Sequence, residues 1–183
     1  MSQVLVGYDQ TGQIREFDQD GNFSGGSKLQ ECVFLNYARL LTKDEIKKGS
    51  YSLVVNSGSS QITISDYGAQ NDYRVNSPTG EYGILYTASL ATPGTGVGLL
   101  YYQAGIAVLT ASVDLFSGSA TAWDPSLWAT TTEISGVANN VREVWENDDL
   151  NNTTELNSTI YFCRVNNNEY NYSSNPTYLS SSK

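Results

Sequence analysis

The chain has no histidine. That removes the commonest general base and the commonest transition-metal ligand together. A serine nucleophile has no imidazole to activate it, and no Gly-x-Ser-x-Gly turn occurs. Cysteine is scarce: Cys32 and Cys163 are the two present, and their separation is not a metal-binding spacing. They read as small buried hydrophobes of a protein made in a reducing cytoplasm, and a bridge between them is not legible from sequence. No apolar run reaches the ~20 residues that span a bilayer. No basic segment precedes the apolar residues Val4, Leu5 and Val6, so no signal peptide is expected. Positive charge is also thin, with 10 Lys and Arg against 19 Asp and Glu, a net charge of −9. Nucleic acid and anionic membrane both reward Lys and Arg, so neither is expected as a partner. The acids form adjacent pairs, Asp44-Glu45 and Asp148-Asp149, but nothing selects two of them as a glycosidase pair. The expectation is a protein without enzymatic activity, cofactor or metal.

What is present is tyrosine, thirteen of them, with abundant Asn, Ser and Thr and a charged fraction of 16%. Tyr gives a large contact area with a wettable tip, so this composition suits a β-rich protein that forms interfaces. Near the N-terminus, Tyr8-Asp-Gln-Thr-Gly-Gln-Ile14 recurs as Phe17-Asp-Gln-Asp-Gly-Asn-Phe23. Two tandem tight turns explain the repeat, with Asp starting each and Gly taking positive φ. Asp18, Asp20 and Asn22 also sit at alternate positions like a calcium loop, but Gly21 is misplaced and no closing Glu follows. Gly25-Gly26 ends this N-terminal hairpin-turn arm, residues 1–26. Thr42-Lys-Asp-Glu45 is a capping box that predicts a short helix from Thr42 to Gly49, with Lys47-Lys48 at its C-terminal end.

From Tyr51 the apolar period becomes two. Tyr51, Leu53 and Val55 alternate with Ser52, Val54 and Asn56, then Ile62 and Ile64 return after a Ser-Gly-Ser turn, which predicts a hairpin. Residues 66–80 are polar and turn-rich, with Tyr67 and Tyr73 as anchors. Residues 82–90, 98–102 and 105–113 are near-continuous apolar runs, as in strands buried on both faces. Their Gly-rich connectors are too short for parallel crossovers and lack the Gly-Lys-Ser/Thr of a phosphate loop. Trp123 and Trp128 lie in a long loop, either as a lid on the sheet, as a protein contact or as a sugar platform. Residues 132–147 carry Ile134, Val137, Val141, Val144 and Trp145 at helical spacing. The whole predicts an α+β fold, mainly antiparallel β-sheet with one or two short helices, in a core domain spanning residues 27–150.

Residues 151–183 form the last unit. The run Ser158-Thr-Ile-Tyr-Phe-Cys-Arg-Val165 reads as a strand, with Thr159, Tyr161 and Cys163 on one side and Ile160, Phe162 and Arg164 on the other. After Asn166-Asn-Asn168, Tyr170, Asn171, Tyr172, Asn175 and Tyr178 alternate aromatic and polar groups up to and past Pro176, which cannot donate to a ladder. This is either an interface arm lying along a neighbouring subunit or the last hairpin strand of the same domain. The candidate interface residues are therefore Tyr170, Asn171, Tyr172, Asn175, Tyr178, Trp123 and Trp128.

The run Asn151-Asn-Thr-Thr-Glu-Leu-Asn-Ser-Thr-Ile-Tyr-Phe-Cys-Arg164 and the following Glu169-Tyr-Asn-Tyr-Ser-Ser-Asn-Pro-Thr-Tyr178 resemble the C-terminal signature of a family of tailed-bacteriophage virion structural proteins of the contractile-tail, myovirus-like type. A second resemblance covers Phe34-Leu-Asn-Tyr-Ala-Arg-Leu-Leu-Thr-Lys-Asp-Glu-Ile-Lys-Lys-Gly49. The resemblance implies a non-enzymatic baseplate or neck/tail subunit, made in the host cytoplasm and located in the virion. Its partners would be other virion structural proteins, with several copies in a symmetric assembly. A capsid-associated accessory or decoration protein is the alternative within the particle, and a particle-borne carbohydrate-binding module is another.

Overall fold

The alternation that starts at Tyr51 builds the hairpin it predicts. The computed structural model of the chain describes residues 1–23, 25–29, 32–57, 60–87, 96–110, 141–142, 144–154 and 156–164. In it β5 (Ser52–Ser57) pairs antiparallel with β6 (Ser60–Ser65), placing Val55 opposite Ile62 and Leu53 opposite Ile64. The flanking strands are β1 (Phe17–Asp18), β2 (Lys28–Leu29), β3 (Cys32–Asn36), β4 (Glu45–Ile46), β7 (Arg74–Ser77), β8 (Gly80–Tyr86), β9 (Gly96–Tyr101), β10 (Ile106–Thr110), β11 (Trp145–Asp149) and β12 (Asn152–Thr153). There are two four-residue helices, α1 (Ser2–Leu5) and α2 (Arg39–Thr42), and Val141, Arg142 and Val144 are helical as well. The main sheet runs β11-β5-β6-β8-β9-β10-β3, with β7 added on β8, and every pairing in it is antiparallel. The fold is mainly antiparallel β-sheet with two short helices, curled into a half-barrel.

Both faces of β8, β9 and β10 are covered, as their unbroken apolar sequences require. Inside the curl, Leu35, Leu53, Val55, Ile64, Leu85, Leu100 and Leu109 meet, so side chains from near both ends of the sheet share one core. On the outer face, Tyr82, Ile84, Leu99, Tyr101 and Val108 are buried under Leu5, Val6, Phe17 and Leu29. Residues 1–29 thus form a second layer over the convex side. Polar ties hold it there: Gln19 Nε2 donates to Gly96 O (2.7 Å), and the Tyr82 hydroxyl donates to Gly21 O (3.1 Å). Layer and sheet can approach closely at Gly96, where an added Cβ would overlap the Gln19 carbonyl oxygen.

The tandem turns form as the repeat predicts. In the first, Tyr8 bridges Ile14, the Asp9 carboxylate accepts from the backbone N–H of Thr11 and Gln13 (2.8 Å each), and Gly12 has φ +85°. In the second, Asp18 begins the turn and Gly21 has φ +70°, within the β1–β2 hairpin.

Two helix expectations are corrected. Thr42 ends a helix instead of starting one: α2 spans Arg39–Thr42, and Lys43 follows at φ +53°. The capping-box residue Glu45 lies in β4, because Ile46 is drawn fully into the inner core and its N–H donates to Tyr102 O (3.0 Å). Burying a whole Ile contributes about 2 kcal/mol, more than a capping box. Likewise, the helix expected over residues 132–147 does not continue to its predicted end. Val141, Arg142 and Val144 are helical, but from Trp145 the chain becomes β11 and pairs with β5. Asn147, Asp148 and Asp149 favour this, since they are weak helix formers and acids are disfavoured at a helix C-terminus. The first part of that expected helix, residues 132–140, lies outside the described residues.

Candidate protein-interaction surface

The run that starts at Asn151 leaves the body through β12. This short strand pairs with β4, and Asn152 Nδ2 donates to Leu41 O (3.0 Å). Beyond it, among the described residues, the chain makes no ladder through Arg164. Leu156, Ile160, Tyr161 and Phe162 are exposed, the two extremes Leu156 and Phe162 at 92% each. The strand expected over residues 158–165 is therefore corrected for its described part: the residues are strand-like in type but unpaired. Cys163 is exposed as well, not a buried hydrophobe, and both cysteines are free thiols. Each large apolar side chain left in water forgoes roughly 1.5–3 kcal/mol of burial. Four of them within one short segment make an exposed apolar stretch that calls for an explanation.

A second exposed feature lies at the sheet edge formed by β3. No described strand pairs with its outer side. Beside it is a cleft of about 510 Å³ whose walls include Met1, Glu16, Phe17, Leu29, Cys32 and Phe34. The Phe17 and Phe34 rings are 5.7 Å apart, and Phe34 remains 38% exposed. Burial pushes the Cys32 thiol up to about 11, so it is not a thiolate nucleophile. On the inner side of the same edge, Val33 and Leu35 face Val141, Val144 and Trp145 across a small apolar cavity of about 20 Å³.

Polar chemistry is mostly spent on holding the fold. Asp66 is buried, and its two carboxylate oxygens accept from Gly49 N (2.7 Å), Tyr51 N (3.0 Å) and the Tyr102 hydroxyl (3.1 Å). Burial raises its pKa, against the lowering effect of those donors. Both oxygens are occupied and screened from solvent, so Asp66 presents nothing to a substrate. Tyr37 and Tyr51 share a hydroxyl hydrogen bond of 2.7 Å. Lys48 pairs with Glu81 and sits over the rings of Tyr73 (4.9 Å) and Tyr102 (5.5 Å). Tyr73 and Tyr67, expected as anchors, are both substantially exposed, with Tyr73 serving as a platform for this ammonium. At the second turn, Lys28 Nζ pairs with Asp18 and donates to Gly25 O (2.7 Å), so an ammonium fills the position a cation would take there. Among the described residues no three or more Cys, Asp and Glu side chains gather as a metal site. A polar cleft of about 350 Å³ between Arg39, Asp44, Glu45, Gln103 and Asn157 lies beside the root of the C-terminal segment.

No family model, curated protein or solved structure matches the chain. The function is therefore argued from these surfaces. Of the residues singled out in sequence, Trp123, Trp128, Tyr170, Asn171, Tyr172, Asn175 and Tyr178 all lie outside the described residues. The exposed Leu156, Ile160, Tyr161 and Phe162 were not singled out. Their strand character is legible as apolar groups on both sides of one short run, but their exposure depends on the packed body.

Proposed function

We propose that this chain is a non-enzymatic structural subunit of a tailed-bacteriophage virion, acting through protein–protein contacts in the baseplate or neck of a contractile tail. The observation that carries the reading is the exposed apolar segment of residues 156–164, which belongs to the same run that carries the family resemblance. A subunit that works alone has no use for Leu156, Ile160, Tyr161 and Phe162 in water, whereas a subunit of an assembly buries them on a neighbour. Two buried acids have structural roles. The buried acid Asp66 is consumed by backbone and tyrosine donors, and Asp18 is neutralised by Lys28. The partners are other virion structural proteins, with several copies of this chain in the particle. A density map of the whole particle tests the reading. Density for this chain in the tail or baseplate is expected, and density on the capsid lattice would overturn the tail placement in favour of an accessory capsid protein. Incubation with glycans and peptidoglycan provides a second check, since saturable sugar binding would favour a carbohydrate-binding module.

A further inference from the structure

We propose that the C-terminal segment of one copy, residues 158–164, adds as a strand to the β3 edge of a second copy. This rests on the assembly reading above and names the contact that assembly would use. The two features are complementary in kind. Among the described residues, one is a strand-like run without a sheet and the other is a sheet edge without a strand. They match in length, since β3 has 5 residues, about 16 Å of ladder, and the run is slightly longer. They match in surface too. A strand laid beside β3 sends alternate side chains to its two faces. With Ile160, Phe162 and Arg164 on the outer face, Phe162 enters the cleft beside Phe34 and Phe17, and Arg164 reaches the side where Glu16 stands. The other face, Thr159, Tyr161 and Cys163, then continues the inner surface beyond Val33 and Leu35. Main-chain hydrogen bonds supply affinity and the alternate pockets supply selectivity, as in other strand-addition contacts.

The segment does not fill this role within its own chain, where Ile160, Tyr161 and Phe162 all remain exposed. Each copy therefore offers one donor strand and one acceptor edge. Such a pair of surfaces builds a reciprocal two-fold dimer, or, used head to tail, a ring where the rotation closes and an open filament where it does not. It also covers an edge that, left bare, invites indiscriminate pairing.

Sedimentation of the full chain over a range of concentrations tests the idea. Wild type is expected to self-associate as concentration rises. Phe162→Asp, on a segment too exposed to affect folding, is expected to weaken association by roughly 30-fold or more, the factor carried by one buried aromatic anchor. Glu16→Arg and Arg164→Glu, both at the surface, should each weaken it, and the Glu16→Arg/Arg164→Glu double variant should recover part of the loss. A wild type that stays monomeric throughout overturns the proposal, as does a Phe162→Asp chain that associates like wild type. So does a double variant no stronger than either single one. A monomeric chain that still appears in particle density would overturn strand addition and leave the virion reading intact. A chain that associates through these residues yet is absent from particles would do the reverse.

Discussion

Replacing Asp66 by Ala removes three hydrogen bonds at one stroke. Gly49 N, Tyr51 N and the Tyr102 hydroxyl all lose their acceptor, and Tyr51 and Tyr102 are fully buried, so water cannot replace it there without opening the core. Hydrogen bonds to an ionised acceptor contribute about 1.5–3 kcal/mol each, and part of that is offset because the buried carboxylate no longer has to be desolvated. The net loss is about 3–5 kcal/mol, at the upper end for a single substitution. Asp66→Asn is the informative control. Its carbonyl can keep Gly49 and Tyr102, but its amide then meets the Tyr51 N–H donor to donor, at a cost of about 2 kcal/mol. Urea unfolding followed by tyrosine and tryptophan fluorescence measures both, with an unchanged dependence on urea concentration showing that stability alone moved. The pH dependence carries a definite sign. Burial raises the Asp66 pKa in the folded state above its unfolded value. The stability this group contributes is then full below the ordinary aspartate range and is lost as pH rises through the raised value. The advantage of wild type over Asp66→Asn should therefore shrink from acid toward neutral pH. Losses below about 1 kcal/mol for Asp66→Ala, or an advantage over Asn that grows with pH, would refute this account of the site.

Three further outcomes are expected. Lys28→Met leaves the fully buried Asp18 carboxylate, within the outer layer, without its counter-ion and should cost about 2–4 kcal/mol in urea unfolding, with Asp18→Asn in the same chain restoring much of it. Gly83→Ala puts a methyl group into the space of the Tyr102 hydroxyl, which also serves Asp66, and should destabilise by about 1–3 kcal/mol, read as a lowered Tm. Thiol titration of the native chain, at concentrations too low for self-association, should show one fast thiol, the exposed Cys163, while half-buried Cys32, with its pKa pushed up to about 11, reacts slowly; two equally fast thiols would contradict the placement of β3.

The parts of the fold written in local pattern were legible in the sequence. Alternation at Tyr51, Leu53 and Val55 specifies β5, and the unbroken apolar runs around Ile84, Leu99 and Val108 specify strands covered on both faces. What local pattern could not show was competition from distant partners. The capping signal at Thr42 lost to the burial of Ile46 against Tyr102, and the helical spacing up to Trp145 lost to the free edge of β5. Asp66 was passed over because one acid in a polar loop looks like any other until Gly49, Tyr51 and Tyr102 converge on it. The candidate surface was half legible. The composition of residues 158–164 gave its strand character, but exposure is a property of the packed body and has no local signature.

The order of strands along the chain bears on when the sticky segment comes into being. β5 and β6, and β8 through β10, pair with near neighbours, while β3 must wait for β10 and β11 must return to β5. Near pairings close quickly and distant ones slowly. Synthesis makes the layer that will cover the convex face before the strands of the main sheet, and the run around Phe162 after every strand in the described residues. The half-barrel can thus be largely assembled before its most adhesive residues exist. Many copies being translated on one messenger would each present Ile160 and Phe162 only once their own body was near completion, which keeps premature tangling between nascent chains low.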